Sequence, residues 1–194
     1  MTNARIEDVT AGFQAAGRAV KEVKQQATSA QNAAGLTPQD FGATGADDTL
    51  SLRDWLAGSG RKTAIAGEEY RAGTWLGQMT VAPSSRASLA GSTIIQGFSR
   101  PDNTQMGLIS AGAEVSGLSW KVDGSNYFRR GFRLDQGASL RASKLISPTP
   151  SPAPAAGGYG TRGHVLGIFG NDARIEDVLI DGFQQQAIFA SPDV

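Results

Sequence analysis

Of the carboxylates in the second half of the chain, Glu114, Asp123, Asp135, Glu176 and Asp181 are expected to project outward, and their type suits acid–base chemistry. Glycoside hydrolysis by a carboxylate pair needs the two groups about 5 to 10 Å apart, on opposite sides of one bond. No two of the five fall on neighbouring coils in one column, so the simpler reading makes them solvated wall residues. His164 is the single histidine and has no neighbouring serine or second ligand, which reads as a turn or surface residue rather than a general base. The run Gly158-Tyr159-Gly160-Thr161-Arg162-Gly163 fits the glycine spacing of a dinucleotide loop. That loop requires a strand before it and a helix after, whereas here a Pro/Ala stretch precedes and an apolar strand pattern from His164 to Phe169 follows. Trp75 and Tyr127 are the aromatics placed to stack on a sugar, with packing as the plainer alternative. With no cysteine and one histidine, thiolate chemistry, disulfides and a multi-imidazole metal site are excluded within one chain. The expectation is no catalytic residue, no cofactor and no metal site in this chain.

The scaffold that holds these residues is legible in the remainder of the sequence. The chain has 194 residues with 18 basic and 18 acidic side chains, so no net field favours nucleic acid or anionic lipid. It holds 25 glycines and 8 prolines, a turn-rich composition still compatible with a packed core. The first residues lack the basic end and apolar run of a signal peptide, and no stretch is long and apolar enough to span a bilayer.

Ile6, Val9, Phe13, Ala16, Val20 and Val23, continued by Ala27 and Ala30, alternate in steps of three and four residues. That is the stripe of a helix seeking partner helices. β-Branched residues at both stripe positions favour three strands over two. Small Ala16 and helix-weakening Gly12 and Gly17 mean that such a bundle is not self-sufficient. Asn32 to Gly35 ends the helix ahead of Pro38.

Downstream, a repeat of about 25 residues begins. Segments starting at Ala87, Ala113, Ala138 and Ala173 align so that Leu89, Val115, Leu140 and Ile175 form one apolar column and Ile94, Trp120, Leu145 and Ile180 a second. Further apolar runs at 106–109, 132–134 and 165–169 give each period at least two strands. The last interval is longer because it contains a Pro-rich loop at 147–158. Short β-rich segments of this period predict a mainly β fold: the first coils of a right-handed parallel β-helix, behind a coiled-coil-like helix. The uncovered edge of a last coil is an aggregation hazard, so further coils or another subunit are expected to cover it. Ala4–Val9 repeats letter for letter as Ala173–Val178, and the contexts make the first copy helix and the second strand.

Between stripe and coils lies Asp40-Phe41-Gly42-Ala43-Thr44-Gly45-Ala46-Asp47-Asp48-Thr49-Leu50-Ser51-Leu52-Arg53-Asp54-Trp55-Leu56. This segment resembles the opening segment of pectate-lyase-like β-helix proteins, especially bacteriophage tailspikes and tail fibres. Physically, its glycines allow a tight turn, Asp47 or Asp48 can cap the next helix, and Leu52, Trp55 and Leu56 form an apolar face that closes the first coil. The order of parts gives an N-terminal stem at 1–35, a junction and capping helix at 36–60, and coils at 61–194. The resemblance implies a structural virion protein: the virion-proximal part of a homotrimeric spike, attached through its N-terminal region to phage tail or adaptor proteins. It implies host-surface polysaccharide as the distal partner, a location in the phage tail after synthesis in the host cytoplasm, and neither nucleic-acid binding nor membrane insertion. The alternatives are a β-helix polysaccharide depolymerase, lyase or hydrolase, and a bacterial surface adhesin.

Overall fold

The structure is a computed structural model that describes residues 17, 20, 21, 35–148, 163–183 and 186–191. The chain forms two compact units, 1–35 and 36–194. In the first, Gly17, Val20 and Lys21 are helical and exposed; the stripe residues Ile6, Val9, Phe13, Ala16 and Val23, on which the coiled-coil expectation rests, lie outside the described residues.

The second unit is mainly β, a parallel solenoid of about four turns. It opens with a 3-10 turn, Pro38–Phe41, and one helix, α1 (Thr49–Ala57). Strands β1 (Arg61–Thr63), β2 (Glu69–Ala72) and β3 (Met79–Val81) make the first turn. The second contains β4 (Arg86–Ser88), β5 (Thr93–Gln96) and β6 (Arg100–Ile109), and the third β7 (Glu114–Ser116), β8 (Ser119–Val122) and β9 (Phe128–Leu134). Above them lie β10 (Ser139–Ile146) with β11 (His164–Ile168), then β12 (Arg174–Asp181) with β13 (Gln186–Ala190). All pairing between turns is parallel. β10 is continuous and pairs with both β7 and β8, which merges two stacks into one sheet opposite the stack β3-β6-β9-β11-β13.

Alternation along short strands sends every second side chain inward. One inward column runs Lys62, Ala87, Val115, Leu140, Ile175. A second runs Tyr70, Ile94, Trp120, Leu145, Ile180, and a third Met79, Gly107, Phe132, Leu166, Ile188. The second matches the sequence expectation. The first differs at one level: Ala87, not Leu89, stacks beneath Val115, and Leu89 is buried at the following corner. The cause is the chain between β4 and β5, two residues longer than that between β7 and β8, which shifts the alanine alignment there.

The corners have their own columns. Turns closed by Ser85 N–H to Ala82 O, Ala113 N–H to Ser110 O and Ala138 N–H to Asp135 O carry a left-handed residue at Ser84, Gly112 and Gly137, and Asp172 repeats it one turn higher. At another corner Gly117 (φ 69°) lies level with Ala142 (47°) and Asp177 (53°). Glycine is required at position 117 twice over, since a Cβ there would approach Ala90 Cα to 2.7 Å. The interior is filled by Trp120, Tyr70, Phe128, Leu89 and Leu140, and its apolar cavity between Met79, Leu89, Val115, Trp120 and Phe132 measures about 20 Å³. That is room for at most a water, with nothing to hold one.

Candidate functional site

At the start of the solenoid, the segment 40–56 forms a plug. Thr37 donates through its N–H and hydroxyl to Asp40 Oδ2 (2.8 and 2.9 Å), which fixes the 3-10 turn; Gly42 then reverses direction at φ 90° while Phe41 packs on the core. The two adjacent acids divide the work. Asp47 Oδ1 accepts from Thr49 N–H (3.1 Å), Thr49 Oγ1 (2.6 Å) and Gly73 N–H (3.1 Å), and Oδ2 from Thr74 Oγ1 (2.9 Å). These donors, the Thr49 hydroxyl first, lower the Asp47 pKa to about 2. Asp48, buried, accepts from Thr44 and Gly45 N–H on one oxygen and from Arg71 N–H on the other, tying the glycine loop to β2. Thus Asp47 satisfies the α1 terminus and Asp48 anchors it to the first turn.

The buried face of α1 is Leu52, Trp55 and Leu56. Trp55 Nε1 donates to Leu36 O (2.7 Å), and Leu36 bridges Lys62 on β1. Ala82 N–H donates to Leu56 O (3.1 Å), joining the helix end to the wall after β3. Of the stripe residues only Val20 is described, and it is 58% exposed.

On the outer face of β1-β4-β7-β10-β12 runs a groove of about 720 Å³ that brings Glu114, Glu176 and Asp177 together with Arg61, Arg86 and Arg141. Glu114 Oε2 lies 3.3 Å from Arg86 Nε and 3.4 Å from Arg141 Nη2, so its charge is already offset. Glu176 sits on β12, two strands above β7 and two residues further along, a backbone offset of about 12 Å from strand spacing and rise. The arrangement is a charged ladder rather than a carboxylate pair astride one bond. Asp123 pairs with Arg71 (3.1 Å) and Asp135 with Arg133 (2.7 Å), while Asp181 is level with Ile146 elsewhere on the wall. The five acids therefore do not converge. Trp75 leans on Phe98 at 5.8 Å, half-buried against the core. Of the glycine-rich run, residues 158–162 lie outside the described residues.

Among the described residues, two buried titratable groups, Lys62 and His164, carry no hydrogen-bond partner at a nitrogen. Lys62 points inward at 1% exposure with Nζ unpaired, and burial lowers its pKa. His164 is buried on the opposite sheet, stacked on Phe189 at 5.4 Å with Nε2 unpaired; burial, and then the charge of Arg130, lower its pKa to about 4. The sequence reading of His164 as a turn or surface residue is thereby corrected, because Phe169 and Phe189, from its own turn and the next, enclose it. Sequence reasoning gave no sign of Lys62 inside, since the alternation that would mark it spans only three residues. Among the described residues no group of three metal-ligating side chains occurs, and no helix is long and apolar enough to cross a membrane. Compared with models of protein families, with curated proteins and with solved structures, the chain returns no match.

Proposed function

We propose that the chain is a structural virion protein, the stem-proximal part of a homotrimeric phage tailspike or tail fibre, built on a right-handed parallel β-helix. The observation that carries the reading is the α1 plug: the segment that resembles the opening of such spikes is the one whose Leu52, Trp55 and Leu56 cover the first turn. The right hand is that of about 98% of parallel crossovers. In this role residues 1–35 trimerise and attach to tail or adaptor proteins, and the solenoid transmits load because its strands are paired along the axis. Three copies acting together gain avidity for repeated surface polysaccharide.

The mass of the 194-residue chain by light scattering tests the assembly: a trimer is expected, reverting to monomer in a Phe13→Glu/Val20→Glu variant that keeps its β-type circular dichroism. A monomeric wild type overturns it. Mass spectrometry of purified virions from a phage encoding the chain tests the location, and its absence there removes the virion role. A second reading, polysaccharide cleavage, is supported by the groove holding Glu114, Glu176 and Asp177. It ranks lower because Glu114 is held between two arginines.

A further inference from the structure

The last strand level is held by few side chains. Among the described residues β13 pairs with β11 alone, and of its five side chains only Phe189 is not exposed. Phe189 stands level with Gly167 of β11, which presents no side chain beneath it. Its ring settles on the neighbours instead, stacking on His164 at 5.4 Å and 21° and meeting Phe169 at 5.8 Å. A Cβ at Gly167 would come within 2.5 Å of the Phe169 ring and 2.8 Å of His164 Nε2, so this glycine is the floor of the aromatic enclosure. Beyond its backbone bonds, β13 is therefore fastened by one ring resting chiefly on one imidazole.

That imidazole is 4% exposed, and its Nε2 has no hydrogen-bond partner among the described residues. A neutral ring suits such a site as an aromatic surface. A protonated ring carries a proton on both nitrogens and needs acceptors. The strands around it supply no carboxylate: β9 places Arg130 level with His164, β11 has no other titratable residue, and β13 has none. Arg133 lies on the Phe169 ring at 4.7 Å, and its Nε already occupies Asp135 Oδ1 at 2.7 Å. Ring faces attract a cation, but a buried charge beside a guanidinium and without an acceptor loses more. Burial first, and then Arg130, accordingly lower the imidazole pKa from 6.5 to about 4.

We propose that His164 is an acid-released latch: its protonation lifts Phe189 and frees β13 from β11, while the plugged end of the solenoid stays closed. The latch requires neither the stem nor a trimer. An open form takes up the proton at the ordinary 6.5 and the closed form only near 4, so closure is at full strength above 6.5. Opening should rise about tenfold per pH unit as pH falls from 6.5 to about 4, then level off. Because the chain has one histidine, its imidazole C2 proton signal reads the titration directly in NMR of the full chain, with a midpoint expected well below 6.5. Hydrogen exchange read by mass spectrometry, wild type against His164→Phe at the same pH so that intrinsic rates cancel, reads the opening. At pH ~7.5 the two chains are expected to agree within about threefold; at pH ~4 the wild-type amides of β11 and β13 should exchange about a hundredfold faster, with those of α1 and β2 unchanged. An ordinary midpoint of 6.5, equal exchange of the two chains at pH ~4, or equal loosening of α1 would each overturn the latch. Where His164→Phe loses its β-type circular dichroism, wild-type exchange of β13 relative to α1 across the same pH range decides, and a constant ratio overturns it.

Discussion

The first and last turns of the solenoid present the same inward columns under different cover. Beneath the first, Leu52 and Trp55 of α1 are wholly buried and Tyr70 and Met79 are 1% and 3% exposed. In the last, Ile175 and Ile180 are half-buried and Ile188 is 45% exposed, and among the described residues β12 and β13 pair on one side only. Residue type is therefore not what buries a column position; an adjacent layer does, and a helix serves as such a layer as well as a further turn of strand. The same comparison isolates Lys62, the one charged residue in the inward columns, on the turn next to the plug.

Removing the plug's centre breaks the contrast most strongly. Trp55→Ala deletes a fully buried ring and its bond to Leu36, and is expected to cost about 3–5 kcal/mol in urea unfolding. Lys62→Met sharpens it in the other direction, with an expected gain of about 1–3 kcal/mol at neutral pH, because an unpaired buried ammonium is replaced by a side chain of similar length. Its folded pKa lies below the ordinary 10.5, so the unfolded chain holds the proton more tightly. The penalty is complete below the folded pKa and fades as pH rises through 10.5, so the variant's advantage should shrink in unfolding curves taken at increasingly alkaline pH. Ile188→Ala, in the third column of the last turn, should shift the same curves by less than about 1 kcal/mol. A loss there equal to that of Trp55→Ala would mean that the last turn is covered in solution.

How much the sequence disclosed depended on how local the signal is. The column Ile94, Trp120, Leu145, Ile180 was readable because corner lengths happen to agree across those levels, whereas the misplacement of Leu89 came from one longer corner. The α1 face was readable from three apolar residues in one helical turn, but not the division of labour between Asp47 and Asp48, which depends on Gly73 and Arg71 arriving from the first turn. The aromatic enclosure of His164 was hidden for the same reason: its rings come from the end of its own turn and from the next. Left-handed Ala142 and Asp177 carry no sequence signal of their own and are explained by stacking level with Gly117.

The corners also differ in length while the columns between them stay in phase. Four residues join β4 to β5, two join β7 to β8, β10 passes through without a break, and β11, which seventeen residues separate from the end of β10, lies in register with β9. Bends of this architecture thus behave as splice points: indels confined to them alter the outline without propagating into neighbouring layers. New surface chemistry can accumulate there piecemeal, and a peptide grafted between Ser147 and Gly163 should be displayed from an unchanged scaffold.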